Sequence, residues 1–231
     1  YEYQIGKKDS TSADDWSKVY TFKTAKEGLK EFSFIAVGDT QGITWDGTSA
    51  SNKGFMYAKA AFDEAFEELP DPAFILHTGD VVEEGGNKAM WNWYFKTLGE
   101  HGASVPHFAA IGNHDTWANG PLYFDLHFNH PNNGGTAALD KTITQHIDYS
   151  YLKTLAKNAD ETIYSFDYGD VHFTVLNTGS YHSEDRYIIE AQRKWLEKDL
   201  EESKTAKWKV ILLHEPVYHR KGGAESRPWL H

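Results

Sequence analysis

Four apolar runs of strand length each end in side chains able to bind a metal ion. They end at Gly38-Asp39, at Gly79-Asp80, at Gly112-Asn113-His114-Asp115 and at Leu213-His214-Glu215-Pro216. Singly, each has a plain explanation. Gly-Asp is a common turn, Asn-His-Asp can start a helix, and a histidine after a buried strand is often structural. The joint pattern carries the signal. Strands lying in one sheet and pointing the same way bring their ends to one edge, where open α/β sheets bind ligands. Carboxylate, amide and imidazole donors together suit Zn, Mn or Fe, rather than the all-oxygen cages of Ca.

The elements that must position these residues are legible. Residues 32–37, 73–76, 105–111 and 208–213 are short apolar runs that read as buried strands. Phe55, Ala58, Phe62, Ala65, Phe66 and Leu69 recur at helical spacing, and Pro70-Asp71-Pro72 stops that helix. Asn87 is placed to cap a helix running to about Leu98. Residues 163–168 and 171–176 read as a hairpin turned at Gly169-Asp170, and 186–204 as an amphipathic helix. Alternating strands and helices predict an α/β fold around a central sheet. Upstream, Tyr1, Tyr3 and Ile5 alternate with polar residues, and 16–24 supply a second strand. Two strands alone are marginal in water. Residues 25–31 read as a charged linker and 42–53 as a loop rich in Gly, Ser and Thr.

Composition bounds the function. With 231 residues, 40% hydrophobic and 15% aromatic, the chain can bury a sizeable core. A formal net charge of -11 disfavours nucleic acid as a partner, because phosphate backbones call for surplus Lys and Arg. The absence of cysteine excludes disulfides, thiolate metal sites and cysteine nucleophiles. No apolar run approaches a membrane span. The chain opens at Tyr1 without an initiator Met and reads as a piece of a longer protein.

The ordered motifs Gly-Asp, Gly-Asp, Gly-Asn-His-Asp and apolar-apolar-His resemble those of the calcineurin-like metallophosphoesterases, from residue 32 to the end. Gly112-Asn113-His114-Asp115 is the most specific part. The N-terminal pattern of Tyr1, Tyr3, Ile5, Trp16, Tyr20 and Phe22 resembles the last two strands of the fibronectin type III domain that precedes the catalytic domain in purple acid phosphatases, so the nearest likeness is to bacterial members of that group. The resemblance implies a four-layer α/β/β/α sandwich over 32–231, incomplete at its C-terminus, after a fibronectin type III-like remnant over 1–24. It implies two divalent or trivalent transition metals (Zn, Mn or Fe) and a small phosphorylated substrate. The reaction would be acid phosphatase-type hydrolysis of a phosphate ester by a hydroxide held between the metals, in an extracellular or cell-surface bacterial protein. Asp80 would bridge the metals, Asp39 would bind the first, and Asn113 and His214 the second. His114 would face the substrate and protonate the leaving group, and Asp115 would accept the His114 N–H.

Three departures qualify this. Gln41 stands where many relatives place a histidine ligand, and is a weaker candidate through its carbonyl oxygen. Glu83 replaces the tyrosine that colours purple acid phosphatases, so no tyrosinate absorption band is expected; Glu83 itself reads best as a solvated loop acid. The closing Gly-His-x-His motif is absent, and His231 does not match it, so this piece is expected to bind fewer metals or to be inactive. His219 and His182 are candidates for the substrate rim, and His127 and His130 fall in a long loop that could form a lid. His77, His107 and His172 lie within strands and read as structural. The alternatives are a non-catalytic extracellular binding module that keeps the fold, or a phosphodiesterase.

Overall fold

The computed structural model describes residues 1–9, 11–42, 54–134, 161–178 and 186–216, without the side chains of 186–191. Three parallel strands form the first sheet: β3 (Ile35–Val37), β4 (Ile75–His77) and β5 (His107–Ala109), in that spatial order. Their register is level, with Ile35 beside Ile75 and Ile75 beside His107. A second sheet contains β6 (Tyr164–Tyr168), β7 (Val171–Val175) and β8 (Trp208–Leu212). Here β6 and β7 are the expected antiparallel hairpin, and β8 pairs parallel to β7. β3 and β5 are shorter than the apolar runs that contain them, and the run holding β5 continues into the buried Ala110-Ile111.

Side chains alternate across the first sheet. Ile35, Ile75, Ala109 and Ile111 face α1 (Phe55–Glu68), α2 (Lys88–Leu98) and α4 (Gly120–His127), in a core centred on Phe62, Trp91, Tyr94 and Phe124. Phe74, Leu76 and Ala110 face the second sheet and meet Tyr164, Phe173, Val175 and Leu212. Asn87 caps α2 by accepting the Ala89 N–H at 3.1 Å. The outer helix α5 (Arg186–Glu202) covers the far side of the second sheet through Gln192 and Asp199. The result is the four-layer α/β/β/α architecture. No helix among the described residues is long and apolar enough to cross a membrane.

The N-terminal strands β1 (Glu2–Tyr3) and β2 (Tyr20–Thr21) pair antiparallel but span only two residues each, with a further bridge at Gly6 and Trp16. They rest on the base of the main domain, away from the strand ends. The Tyr3 hydroxyl donates to the carbonyl of Ala103 in the short helix α3 (His101–Ser104), Lys18 pairs with Glu100, and Lys23 pairs with Asp71 at 2.7 Å.

Phe74 is fully buried between the sheets, with the rings of Phe34, Phe108, Phe166 and Phe173 at centroid distances of 5.2, 5.5, 5.7 and 5.3 Å. Phe74→Ala should therefore cost about 3–5 kcal/mol in urea unfolding. Beneath α5, the buried Asp199 carboxylate accepts from Ser165, Thr174 and His172, and the other His172 ring nitrogen meets Asp167 at 2.7 Å. Burial opposes a charged His172, but Asp199 and Asp167 outweigh it and raise its pKa above 6.5. A raised histidine pKa stabilises the fold fully below the unfolded value and loses that effect as pH rises through the folded value. His172→Gln should thus lower the melting temperature most in mildly acidic buffer, and the deficit should shrink as pH rises above neutral in a thermal melt series.

Candidate metal centre

The parallel ladder continues past the strand ends. Thr78 donates its N–H to Val37, Asp39 to Gly79 and Gln41 to Asp80, at 2.8, 3.0 and 3.2 Å. This keeps the two Gly-Asp turns level. Both aspartates sit in the left-handed region, Asp39 at φ 52° and Asp80 at φ 54°. Asp tolerates that region better than most non-glycine residues, but at a conformational cost that surrounding contacts must offset. His77 supplies part of that support from within β4. Its Nδ1 accepts the Gly79 N–H at 3.1 Å, and its Nε2–H donates to Thr40 Oγ1 at 2.9 Å. Thr40 in turn donates to the Val81 carbonyl at 3.1 Å. Burial, with His214 nearby, lowers the His77 pKa to about 3, so the ring is neutral, as this pattern of one acceptor and one donor requires.

Ligand atoms of Asp39, Asp80 and His214 lie within 4.8 Å of one another. Asp39 is exposed, whereas Asp80 is buried. His214 follows β8, so the cluster draws on both sheets. Its Nδ1 donates to the Thr78 carbonyl at 3.0 Å, which turns Nε2 inward to 3.1 Å from Asn113 Oδ1 and 3.4 Å from Asp80 Oδ1. A backbone carbonyl holding the outer ring nitrogen is the usual support of a histidine ligand. Burial works against charging this ring, but the Asp80 hydrogen bond and charge, with Asp39 behind them, raise its pKa. Burial alone would raise Asp80 too, yet the hydrogen bond and charge of His214 hold it below the usual carboxylate value. Gln41 also converges here: Nε2 donates to Asp80 Oδ2 at 3.0 Å, while Oε1 is buried without a partner among the described residues.

His114 lies beside this cluster. Its backbone N–H donates to Asp80 Oδ1 at 3.0 Å, and its ring Nδ1 donates to the Glu83 carbonyl at 3.1 Å, with the Glu83 carboxylate at 3.3 Å. Two expectations are corrected. Asp115 does not accept the His114 N–H. Its carboxylate is turned into the protein, fully buried, and accepts the backbone N–H groups of Val82 and Gly112 at 3.0 and 2.9 Å. Asp115 is a clamp between the loops after β4 and β5, not a residue facing substrate. Burial raises its pKa to about 7 despite those two donors. Glu83 is not a solvated loop acid: its side chain is only 13% exposed and does the orienting expected of Asp115. Its position three residues after Asp80 was the available signal.

The lid reading of His127 and His130 is also corrected. His127 ends α4 and stacks on Trp91 at 4.9 Å. His130 is buried, accepting the Ala109 N–H at 3.2 Å and donating to the Glu161 carbonyl at 2.9 Å. His182, His219 and His231 lie outside the described residues.

The residues present fit a metal ion. Two carboxylates, an imidazole and a side-chain amide converge, and the orphaned Gln41 Oε1 offers one more oxygen within reach of an amide rotation. Close packing fixes the arrangement. A Cβ on Gly112 would fall 2.1 Å from Asp80 Oδ1 and 2.2 Å from its backbone N, and one on Gly79, at φ 104°, would fall 2.8 Å from the His214 ring. Gly112→Ala should displace Asp80, destabilise the fold by about 1–3 kcal/mol, and weaken Mn²⁺ binding by about tenfold or more in calorimetric titration.

Comparison with known proteins agrees with this geometry. The calcineurin-like phosphoesterase family model matches residues 32–231. From Arabidopsis thaliana, the protein named probable inactive purple acid phosphatase 1 is 26% identical over 182 residues, covering 77% of this chain and 28% of that protein. Probable inactive purple acid phosphatase 9 of the same plant is 25% identical over 244 residues, covering 94% of this chain and 34% of that protein. The chain thus spans about a third of the length of these relatives. The structure of purple acid phosphatase PPD1 from yellow lupin (Lupinus luteus) seeds superposes with a TM-score of 0.56 at 16% identity, over 90% of this chain and 35% of that one. Matched along its whole main domain, the chain belongs to the calcineurin-like phosphoesterase family.

Proposed function

We propose that this chain carries the catalytic edge of a metal-dependent phosphomonoesterase, acting on a small phosphorylated substrate. The observation that carries the reading is the convergence of Asp39, Asp80, Asn113 and His214 from the strand ends of both sheets, with His114 held beside them. Asp39, Asp80, Asn113 and His214 would hold transition metal, with Gln41 contributing its carbonyl oxygen. Metal bound there supplies Lewis acidity toward phosphoryl oxygens and acidifies water. The rest of the work belongs to the chain. Asp80, fixed by His77, Thr40 and Asp115 through the loops around it, keeps its carboxylate aimed at the cluster. His114 is tethered at Nδ1 by Glu83, and its Nε2 has no partner among the described residues, so that nitrogen is the one to protonate a leaving-group oxygen. The Glu83 carboxylate, 3.3 Å from Nδ1, helps hold the ring in that orientation.

A second reading has specific support. Both Arabidopsis relatives are named probable inactive, and Gln41 here donates an amide N–H to Asp80, where a histidine ligand is more usual. On that reading the chain is a non-catalytic module that binds a phosphorylated group. The fibronectin-like pattern of residues 1–24 supports an extracellular setting in either case.

The readings separate in the full-length protein supplied with Mn, Zn or Fe and assayed on an aryl phosphate. The hydrolase reading expects metal-dependent turnover that falls at least about a hundredfold in Asp80→Asn and roughly a hundredfold to ten-thousandfold in His114→Asn. Turnover indifferent to both substitutions would sink it. Iron-loaded protein should lack the visible tyrosinate band, since Glu83 stands in the tyrosine position.

A further inference from the structure

Trp117 is a large aromatic side chain, 49% exposed, in the short turn of 3-10 helix (His114–Asn119) that begins at His114. Its ring lies 4.3 Å from the His114 imidazole, centroid to centroid, tilted by 39°. The backbone that presents it is strained. Trp117 itself leaves the helical region (ψ 150°), and the next two residues, Ala118 and Asn119, are both left-handed at φ 53° and 66°. An alanine in that region costs on the order of 1–3 kcal/mol. Neighbours hold the turn: the Trp117 carbonyl accepts from Gly86 at 2.9 Å and from the Gly120 N–H. Gly86 is pressed so closely that a Cβ there would lie 1.8 Å from the Ala118 carbonyl oxygen. The fold therefore maintains a costly conformation whose visible product is an indole set half in water beside the site histidine. Burial does not account for it: Trp117 lies outside the core that holds the fully buried Trp91, whose N–H is bonded to Gly85.

We propose that Trp117 is a specificity-determining platform for planar groups, and that the preferred substrates are phosphate esters of aromatic alcohols or of compounds carrying a ring next to the ester oxygen. The inference rests on the reading that His114 serves the leaving group. A leaving group at His114 meets Trp117 on the same side, and an aromatic one gains ring stacking that an alkyl group cannot. The platform discriminates by binding. It does not touch the phosphoryl group.

The test compares Trp117→Ala and Trp117→Phe with the parent in the metal-loaded full-length protein, using p-nitrophenyl phosphate and glycerol phosphate as substrates. Trp117→Ala should raise KM for the aryl ester about fivefold, leave its kcat within about twofold, and leave KM for the alkyl ester unchanged; Trp117→Phe should restore most of the aryl KM. Equal losses on both esters, or none on either, would overturn the proposal. Binding of phenylphosphonate against methylphosphonate, by calorimetry, separates this from failure of the hydrolase reading. A Trp117-dependent preference for the phenyl compound in a protein without turnover upholds the platform and refutes the hydrolase. Equal affinity for both compounds, in active protein or inactive, refutes the platform.

Discussion

The site is organised around one carboxylate, that of Asp80, which is 3% exposed and carried on a left-handed backbone. Both features are unfavourable taken alone, since burial penalises charge and a β-carbon resists positive φ. Three loops make the arrangement stable. From the β3 end, Gln41 donates to Oδ2; from the β5 end, the backbone of His114 donates to Oδ1; from the β8 end, His214 approaches Oδ1 at 3.4 Å. Because each donor comes from a different strand end, the carboxylate ties both sheets together at one edge. A change that moves Asp80 must disturb all three loops together.

Behind this edge lies a second tier that touches no candidate ligand position directly but fixes the loops. His77 and Thr40 join the turn after β3 to the turn after β4, and Asp115 joins the turn after β4 to that after β5. These groups are buried, and every one uses its hydrogen-bonding capacity on backbone or on another member of the tier. Burial, with His214 nearby, keeps His77 neutral with a pKa of about 3, and the Val82 and Gly112 N–H groups turn Asp115 inward although it adjoins His114 in sequence. The aromatic layer between the sheets, with Phe74 at its centre, gives the tier a rigid floor.

Much of this was legible in the sequence, for identifiable reasons. Apolar runs bounded by Gly-Asp located the strands, because buried parallel strands are near-continuous in apolar residues. Helical spacing in 54–69 located α1. Candidate ligand residues were visible because each stands at the end of such a run. What was not legible depended on side-chain direction. Nothing in Gly-Asn-His-Asp says that its last residue turns inward while Glu83, distant in the chain, reaches His114. His130 looked like a loop residue because its partners, Ala109 and Glu161, are remote in sequence. Trp117 carried no periodic signal, since its turn is neither strand nor regular helix. The pairing of β8 parallel to β7 likewise required knowing where α5 carries the chain.

The separation between these tiers bears on how a phosphoesterase fold is kept whether or not chemistry is. Of the three departures from the family pattern, Gln41 and Glu83 both face the site. Neither belongs to the tier of His77, Thr40 and Asp115 that fixes the loops. Gln41 therefore offers the cluster an amide while its Nε2 holds Asp80 Oδ2. Glu83 supplies a carboxylate that, with its backbone carbonyl, orients His114. Fold and donor chemistry are encoded in different residues of the same loops. The buried tier fixes the loops, while the donors offered at the site come from the few side chains that Asp80 gathers in front of it.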